Sequence, residues 1–212
     1  MNDLLSEDKL NLCVDFSSLA NYVALPGTRQ LVDECEIELN WVPFVKTAKK
    51  SPGKTQAGDP LLEYKARRAR ARKMFADKEL QRECELLGIP VEAGGTKFDQ
   101  RAAAMGLLLL READADQSQY WQYVEAIFSA AFRDLRPVED LDEIAGLLKS
   151  LGVMLSLPLD RSEELAETQD QILEAGVFES PTFILKGERF LGRQHLPLLT
   201  WMLKGRIGLP PV

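Results

Sequence analysis

The apolar positions of this chain change period several times, and each change marks an element. From Lys9 the run Leu10-Asn11-Leu12-Cys13-Val14-Asp15-Phe16 is mostly apolar and stops at two serines, as a buried strand feeding a helix does. Ser17 or Ser18 is placed to cap that helix. It carries Leu19, Tyr22 and Val23 and, past an interruption at Pro26, Leu31 and Val32. Ile37-Glu38-Leu39-Asn40-Trp41-Val42-Pro43-Phe44 alternates with period two and reads as a second strand. Strand, helix and strand in this order predict a parallel pair with a right-handed crossover.

The chain then turns polar. Ser51-Pro52-Gly53 and Gly58-Asp59-Pro60 are turn signals, so 47–59 reads as a loop placed to cover a site. Helical spacing follows over Leu61 to Leu87, broken near Ala76-Asp77, then over Gln100 to Glu112, Ser118 to Arg133 and Leu141 to Leu151. Tyr120, Trp121, Phe128, Phe132 and Leu135 form an aromatic stripe that reads as core between these helices. A further helix, Ser162 to Ala175, is capped by Ser162 with Glu164 in its first turn. After Gly176 come Ser180-Pro181, a short strand over Thr182 to Leu185, a turn at Lys186-Gly187-Glu188 and a second strand into Gly192. A terminal helix packs Leu198 and Trp201 on the sheet. The expected layout is an α/β domain from 9–46 and 162–204, an inserted all-helical domain over 60–155, an active-site loop at 47–59 and an extended tail at 205–212.

The 212 residues, 45% hydrophobic and 28% charged, suit one domain or one domain with a sizeable insertion. A net charge of −7 argues against general nucleic-acid binding, which depends on neutralising phosphates. The basic run Lys65, Arg67, Arg68, Arg70, Arg72 and Lys73 wraps around its helix and reads as a solvated surface. The alternatives are attraction of an anionic substrate to the cleft mouth, or an acidic partner. The longest apolar run, Met105 to Leu110, is far short of the ~20 residues of a membrane span. The acidic N-terminus lacks the positive region of a secretory signal, so the expected location is cytoplasmic. Among three cysteines and one histidine there is no Cys-x-x-Cys and no metal-ligand spacing. Cys13 reads as a buried inert thiol, and Cys84, between two glutamates, as a thiol of raised pKa.

The order helix, loop, X-Pro, hairpin and helix at the C-terminal end is similar to the close of a thioredoxin fold. There the proline is cis, and the residue before it offers backbone hydrogen bonds to a ligand. Redox members carry two cysteines where the first helix starts. Here that stretch is Ser18-Leu19-Ala20-Asn21, which excludes dithiol exchange at this place. A serine there either caps the helix or, with the first-turn N–H groups and the positive end of the macrodipole, stabilises an anion such as the thiolate of a bound cofactor.

More specifically, the chain resembles the 2-hydroxychromene-2-carboxylate isomerase and kappa-class glutathione transferase branch of the DsbA-like thioredoxin superfamily, from about Leu10 to Leu203. The motifs that carry the resemblance are Asp15-Phe16-Ser17-Ser18-Leu19-Ala20-Asn21-Tyr22 and Trp41-Val42-Pro43-Phe44, then Lys54 with Asp59-Pro60. Leu80-Gln81-Arg82 with Gly88-Ile89-Pro90 and the run from Gly176 to Phe183 complete them. The resemblance implies a glutathione-dependent isomerase or transferase acting on a small aromatic or carbonyl compound, and relatives that are often homodimers. By the same resemblance Ser18 activates the glutathione thiol, while Ser180 and Pro181 meet its cysteinyl part. Arg193, Gln194 and His195 stand where the family holds the γ-glutamyl end, and Lys54, Asp59 and Pro60 border the second substrate. Leu19 replaces a family proline, and Gln194-His195 replaces an aspartate–arginine pair. The altered Gln194-His195 pair and the missing Cys-x-x-Cys favour a different class of function, a DsbA-like fold without catalysis that binds a ligand or peptide. A serine hydrolase has little support, since no Gly-x-Ser-x-Gly elbow is present. A triad of His195 with Ser18 and an acid would depend on geometry.

Overall fold

A computed structural model describes residues 4–46, 60–90 and 98–211. The first strand, β1 (Leu10–Val14), is buried at every position and apolar at all but Asn11, whose side chain is hydrogen-bonded. It leads through a tight turn into α1 (Leu19–Cys35) and on to β2 (Leu39–Pro43), which pairs with β1 in parallel, Leu12 opposite Trp41. Four helices follow: α2 (Pro60–Leu87), α3 (Arg101–Glu112), α4 (Gln117–Phe132) and α5 (Leu141–Ser150). Helix α6 (Ser162–Glu174) returns the chain to the sheet. Strands β3 (Thr182–Leu185) and β4 (Glu188–Leu191) form a hairpin, followed by a single 3-10 turn over Arg193–His195 and α7 (Leu196–Leu203). The sheet order is β2-β1-β3-β4, with β3 antiparallel to β1 and Phe183 opposite Leu12.

This is the expected α/β architecture of a thioredoxin-like fold with helices inserted between its second and third strands. The insertion shares the core of the sheet. Phe16 and Tyr22, at and just after the β1–α1 turn, lie 5.2 and 5.5 Å from the Phe128 ring on α4. Trp41 of β2 meets Trp121 of α4 edge to face at 4.9 Å. Of the aromatic stripe, Leu135 alone is exposed: the chain has left α4 by then and takes a left-handed φ of 51° there.

Several local expectations are corrected. Helix α2 runs without a break through Ala76-Asp77, because neither residue interrupts a helix as Gly or Pro would. Helix α1 also continues, here through Pro26, a residue that ordinarily disfavours a helix interior. The N-cap of α6 is Arg161, not Ser162. The Asp160 carboxylate accepts from both the Ser162 amide (2.9 Å) and hydroxyl (2.6 Å), so the side-chain cap comes from one residue earlier. In α7 the fully buried residues are Leu196 and Leu199, with Leu198 at the margin. Trp201 turns outward to donate to the Gly208 carbonyl of the tail.

One close approach fixes how α3 and α4 pack. A Cβ on Gly106 would stand 1.9 Å from the Tyr123 hydroxyl oxygen, and that hydroxyl donates to the Ala103 carbonyl at 2.7 Å in a fully buried site. Gly106→Ala is therefore expected to lower stability by about 1–3 kcal/mol, read as a lower urea midpoint. Adding Tyr123→Phe should recover part of that loss, since the clashing oxygen is gone; additive losses would show that the two positions do not press on each other.

Candidate functional site

The turn that ends β1 is built on a buried carboxylate. The Asp15 Oδ1 atom accepts from the Ser17 hydroxyl (2.6 Å), the Ser17 amide (2.8 Å) and the Gln100 side-chain amide (2.5 Å). Gln100 stands at the N-cap of α3, inside the helical insertion, and is itself buried. Its Oε1 accepts from the Phe16 amide (2.7 Å) and its Nε2 also donates to the Phe44 carbonyl (3.2 Å). One glutamine side chain thus ties together the ends of β1 and β2. Burial holds the Asp15 carboxyl above its usual range, and the Ser17 hydrogen bonds, the Lys46 charge and Gln100 lower it in part.

The two serines consequently differ. The Ser17 hydroxyl is spent on Asp15. Ser18 occupies the N-cap of α1 in extended conformation, yet its side chain makes no capping bond. Capping, one of the two expectations for this pair, is not what its hydroxyl does. Ser18 is half-buried, and among the described residues its hydroxyl has no hydrogen-bond partner. The first-turn amides of Leu19 and Ala20 likewise have no acceptor among the described residues.

Asn21, one turn into α1 and buried, links this turn to the loop before β3. Its Oδ1 accepts from the Asp15 amide (3.2 Å), its Nδ2 donates to the Ser180 hydroxyl (3.1 Å), and its backbone amide donates to the Ser18 carbonyl (3.0 Å). The Ser180–Pro181 bond is cis. The Pro181 carbonyl accepts from Gly192 at 2.8 Å, where a left-handed φ of 86° turns the chain toward Arg193. Ser18, Ser180 and Pro181 are therefore joined through two side-chain and backbone links.

The remaining candidates separate. Arg193 forms an ion pair with Glu83 of α2, and Gln194 Nε2 donates to the Leu191 carbonyl (2.6 Å). Both line a cleft of about 860 Å³ between the second half of α1, α2 and the start of α7, with Gln30, Glu34 and Phe75 on its walls. Ser18 and Pro181 are not part of that wall. His195 packs edge-on against Phe190 (5.9 Å) and makes no bond to Ser18 or to a carboxylate among the described residues, so the triad geometry is not formed. Lys54 and Asp59 lie outside the described residues; Pro60 is the first residue of α2. None of the three thiols has a lowered pKa: burial pushes Cys13 up to about 12 and raises Cys35, and burial followed by the Glu83 and Glu85 charges raises Cys84.

Gln100 and Asn21 were not singled out by sequence reasoning. The available signals were a polar Asp99-Gln100 pair opening an otherwise apolar helix, and an asparagine between Leu19 and Tyr22 on the buried side of α1.

This sheet, with a helical insertion after β2 and a cis-proline loop facing the start of α1, defines a thioredoxin-fold protein of the helix-inserted type. The chain belongs to the DSBA-like thioredoxin domain family, whose pattern matches residues 16–204. Its structure is similar to that of a 2-hydroxychromene-2-carboxylate isomerase, at 20% identity, 94% coverage of both chains and a TM-score of 0.63. It is also similar to a probable DsbA oxidoreductase from Streptomyces coelicolor, at 14% identity, covering 96% of this chain and 93% of that one, again with a TM-score of 0.63. No curated protein sequence matches the chain. Among the described residues no helix is long and apolar enough to cross a membrane.

The raised Asp15 pKa has a signed consequence. Folding makes ionisation of Asp15 harder, so its contribution is fully present below the unfolded carboxylate value and is lost as pH rises through the folded one. The stability of the wild type relative to Asp15→Asn should therefore be greatest at acidic pH and decline above the ordinary carboxylate range. Urea titrations of both proteins between pH about 3 and 7 measure this; parallel curves would show that Asp15 titrates normally.

Proposed function

We propose that the chain is a glutathione-dependent isomerase or transferase of the cytoplasm, acting on a small aromatic or carbonyl compound. The observation that carries this reading is the Ser18 hydroxyl: half-buried, at the N-terminus of a 17-residue helix, without a partner among the described residues, and joined through Asn21 to the cis-proline loop. A hydroxyl so placed has a proton to donate and an unneutralised helix end behind it, which favours an anion over a neutral group. Ser17 cannot take this role, because its hydroxyl is held by Asp15. The backbone of Ser180, next to Pro181, is offered to the cysteinyl part of the ligand, and Lys54, Asp59 and Pro60 to the second substrate. When bound, glutathione would supply a thiolate able to add reversibly to the substrate, which suffices for isomerisation by addition, bond rotation and elimination. The similarity in structure to a 2-hydroxychromene-2-carboxylate isomerase supports this choice of chemistry.

A second reading draws on a different observation. Arg193 is engaged by Glu83 and the Gln194 amide by the Leu191 carbonyl, so these candidate anchors for the γ-glutamyl end already have partners within the chain. On that reading the fold binds a ligand or peptide without catalysis.

Calorimetric titration with glutathione separates the two. Binding in the micromolar-to-millimolar range is expected. The bound thiol should have a depressed pKa, read from thiolate absorbance, that rises by about one unit or more in Ser18→Ala, the equivalent of one hydrogen bond to an anion. Ser17→Ala should leave that pKa in place. Absence of binding at millimolar glutathione would sink the enzyme reading and leave the binding module.

A further inference from the structure

Two hydrogen bonds of Asn21 decide which groups beside the cis-proline have a proton to give. The Asp15 backbone amide only donates, so the Asn21 atom that meets it at 3.2 Å is the carbonyl oxygen, Oδ1. The other end of the side chain is then Nδ2, which also only donates, and its partner is the Ser180 hydroxyl oxygen at 3.1 Å. A hydroxyl that accepts this bond keeps its own proton. Among the described residues Ser180 gives that proton to no acceptor. Asn21 is 2% exposed and its backbone amide is tied to the Ser18 carbonyl at 3.0 Å, so the direction of these bonds is fixed by buried backbone.

The contrast with Ser17 is direct. Its hydroxyl donates to the Asp15 carboxylate at 2.6 Å and has nothing left for a ligand. Ser18 and Ser180 are both half-buried, both hold a spare hydroxyl proton, and both are bonded to Asn21, one through its backbone and one through its side chain. Ligand atoms that reach between the start of α1 and the Ser180–Pro181 loop therefore meet hydroxyl donors from both elements, as well as the Leu19 and Ala20 amides. Such a set favours an anion, and hydrogen bonds to an anion are stronger than neutral ones.

We infer that the Ser180 hydroxyl is a second donor to the ligand's sulfur anion, alongside Ser18, and that Asn21 is the positioning residue that aims it. This rests on the glutathione reading above, in which Ser180 contributes only its backbone. The second donor changes the chemistry as well as the affinity. A thiolate of lower pKa is a weaker nucleophile and a better leaving group. In reversible addition to an enone, the sulfur pair forms a C–S bond and the displaced pair moves to the carbonyl oxygen. Elimination returns a pair to sulfur, where both hydroxyls receive it. The arrangement therefore suits addition and elimination more than a transfer whose product keeps the C–S bond.

The test is the thiol pKa of glutathione bound to the full chain, read from thiolate absorbance in a set of variants. The titratable groups around the two hydroxyls are Asp15 with Lys46 acting on it, Glu179 beside Ser180, and Arg193 and His195 beyond Gly192; all are the same in every variant. Ser180→Ala should raise the pKa by about one unit, the equivalent of one hydrogen bond to an anion, and Ser180→Thr should hold it at the wild-type value. Asn21→Ala should raise it too, but not when added to Ser180→Ala. Bound glutathione is also alkylated with iodoacetamide, sulfur bonding to carbon as iodide leaves. Once the thiolate is fully formed, that rate should be about threefold higher in Ser180→Ala, a gain that a merely structural role would not produce. An unchanged pKa in Ser180→Ala with a raised one in Ser18→Ala overturns the proposal and leaves the glutathione reading standing. A pKa that rises equally in Ser180→Ala and Ser180→Thr, or an Asn21→Ala effect that is the same with and without Ser180, overturns it as well. If Asn21→Ala does not fold, as circular dichroism shows, the two Ser180 variants decide alone. Absence of glutathione binding by the wild type sinks the reading itself, and this proposal with it.

Discussion

The hydrogen bond from Gln100 to Asp15 is the constraint on which the rest of the site depends. It joins a residue of the helical insertion to the turn between β1 and α1, and the same glutamine holds the ends of both parallel strands through Phe16 and Phe44. A carboxylate this deeply buried requires donors, and here three, two from Ser17 and one from Gln100, converge on one oxygen. Because Ser17 satisfies Asp15 with both its amide and its hydroxyl, the Ser18 side chain is left without a partner among the described residues. The difference between two adjacent, chemically identical residues follows from which one the carboxylate claims.

The sheet and the insertion also share one hydrophobic core. The aromatic cluster around Phe128 takes Phe16 and Tyr22 from the β1–α1 unit, and the two tryptophans Trp41 and Trp121 meet across the boundary. What positions Ser18 from below is therefore helical, and what positions it from the side is the cis-proline loop, held through Asn21. All three cysteines have pKa values raised chiefly by burial, so none of the chain's own sulfur is activated as a nucleophile. Chemistry at this place, if it uses sulfur, has to use a ligand's.

The elements most legible in the sequence were those whose signal is local. The apolar run ending at Ser17-Ser18, the period-two stretch around Trp41 and the Ser180-Pro181 hairpin specified the four strands and the parallel first pair, because strand pattern and turn chemistry act over a few residues. Side-chain partners were not legible. Whether Ser18 caps its helix, whether Ser162 caps α6 or yields to Asp160, and which end of α7 is buried all depend on neighbours that the folded chain brings close. Gln100 shows this most clearly: nothing near it in sequence says that its amide will bond to a carboxylate 85 residues earlier. Arg193 and Gln194 could be located at a turn after β4 but not assigned to a wall of the α1–α2 cleft, since that depends on how α2 crosses α1.

The sheet order also sets a schedule for the growing polypeptide. Strand β1 is central, yet its antiparallel neighbour is β3, and the Asn11 side-chain amide reaches the Ile184 carbonyl, 173 positions further along the chain. During synthesis the N-terminal βαβ unit and all the helices of the insertion emerge from the ribosome while one edge of β1 has no strand to pair with. Pairings this distant in sequence close late and slowly. The loop carrying Ser180 and Pro181 is delivered by the same event. The Ser18 turn and the Ser180–Pro181 loop therefore come together only after every helix of the insertion has been made.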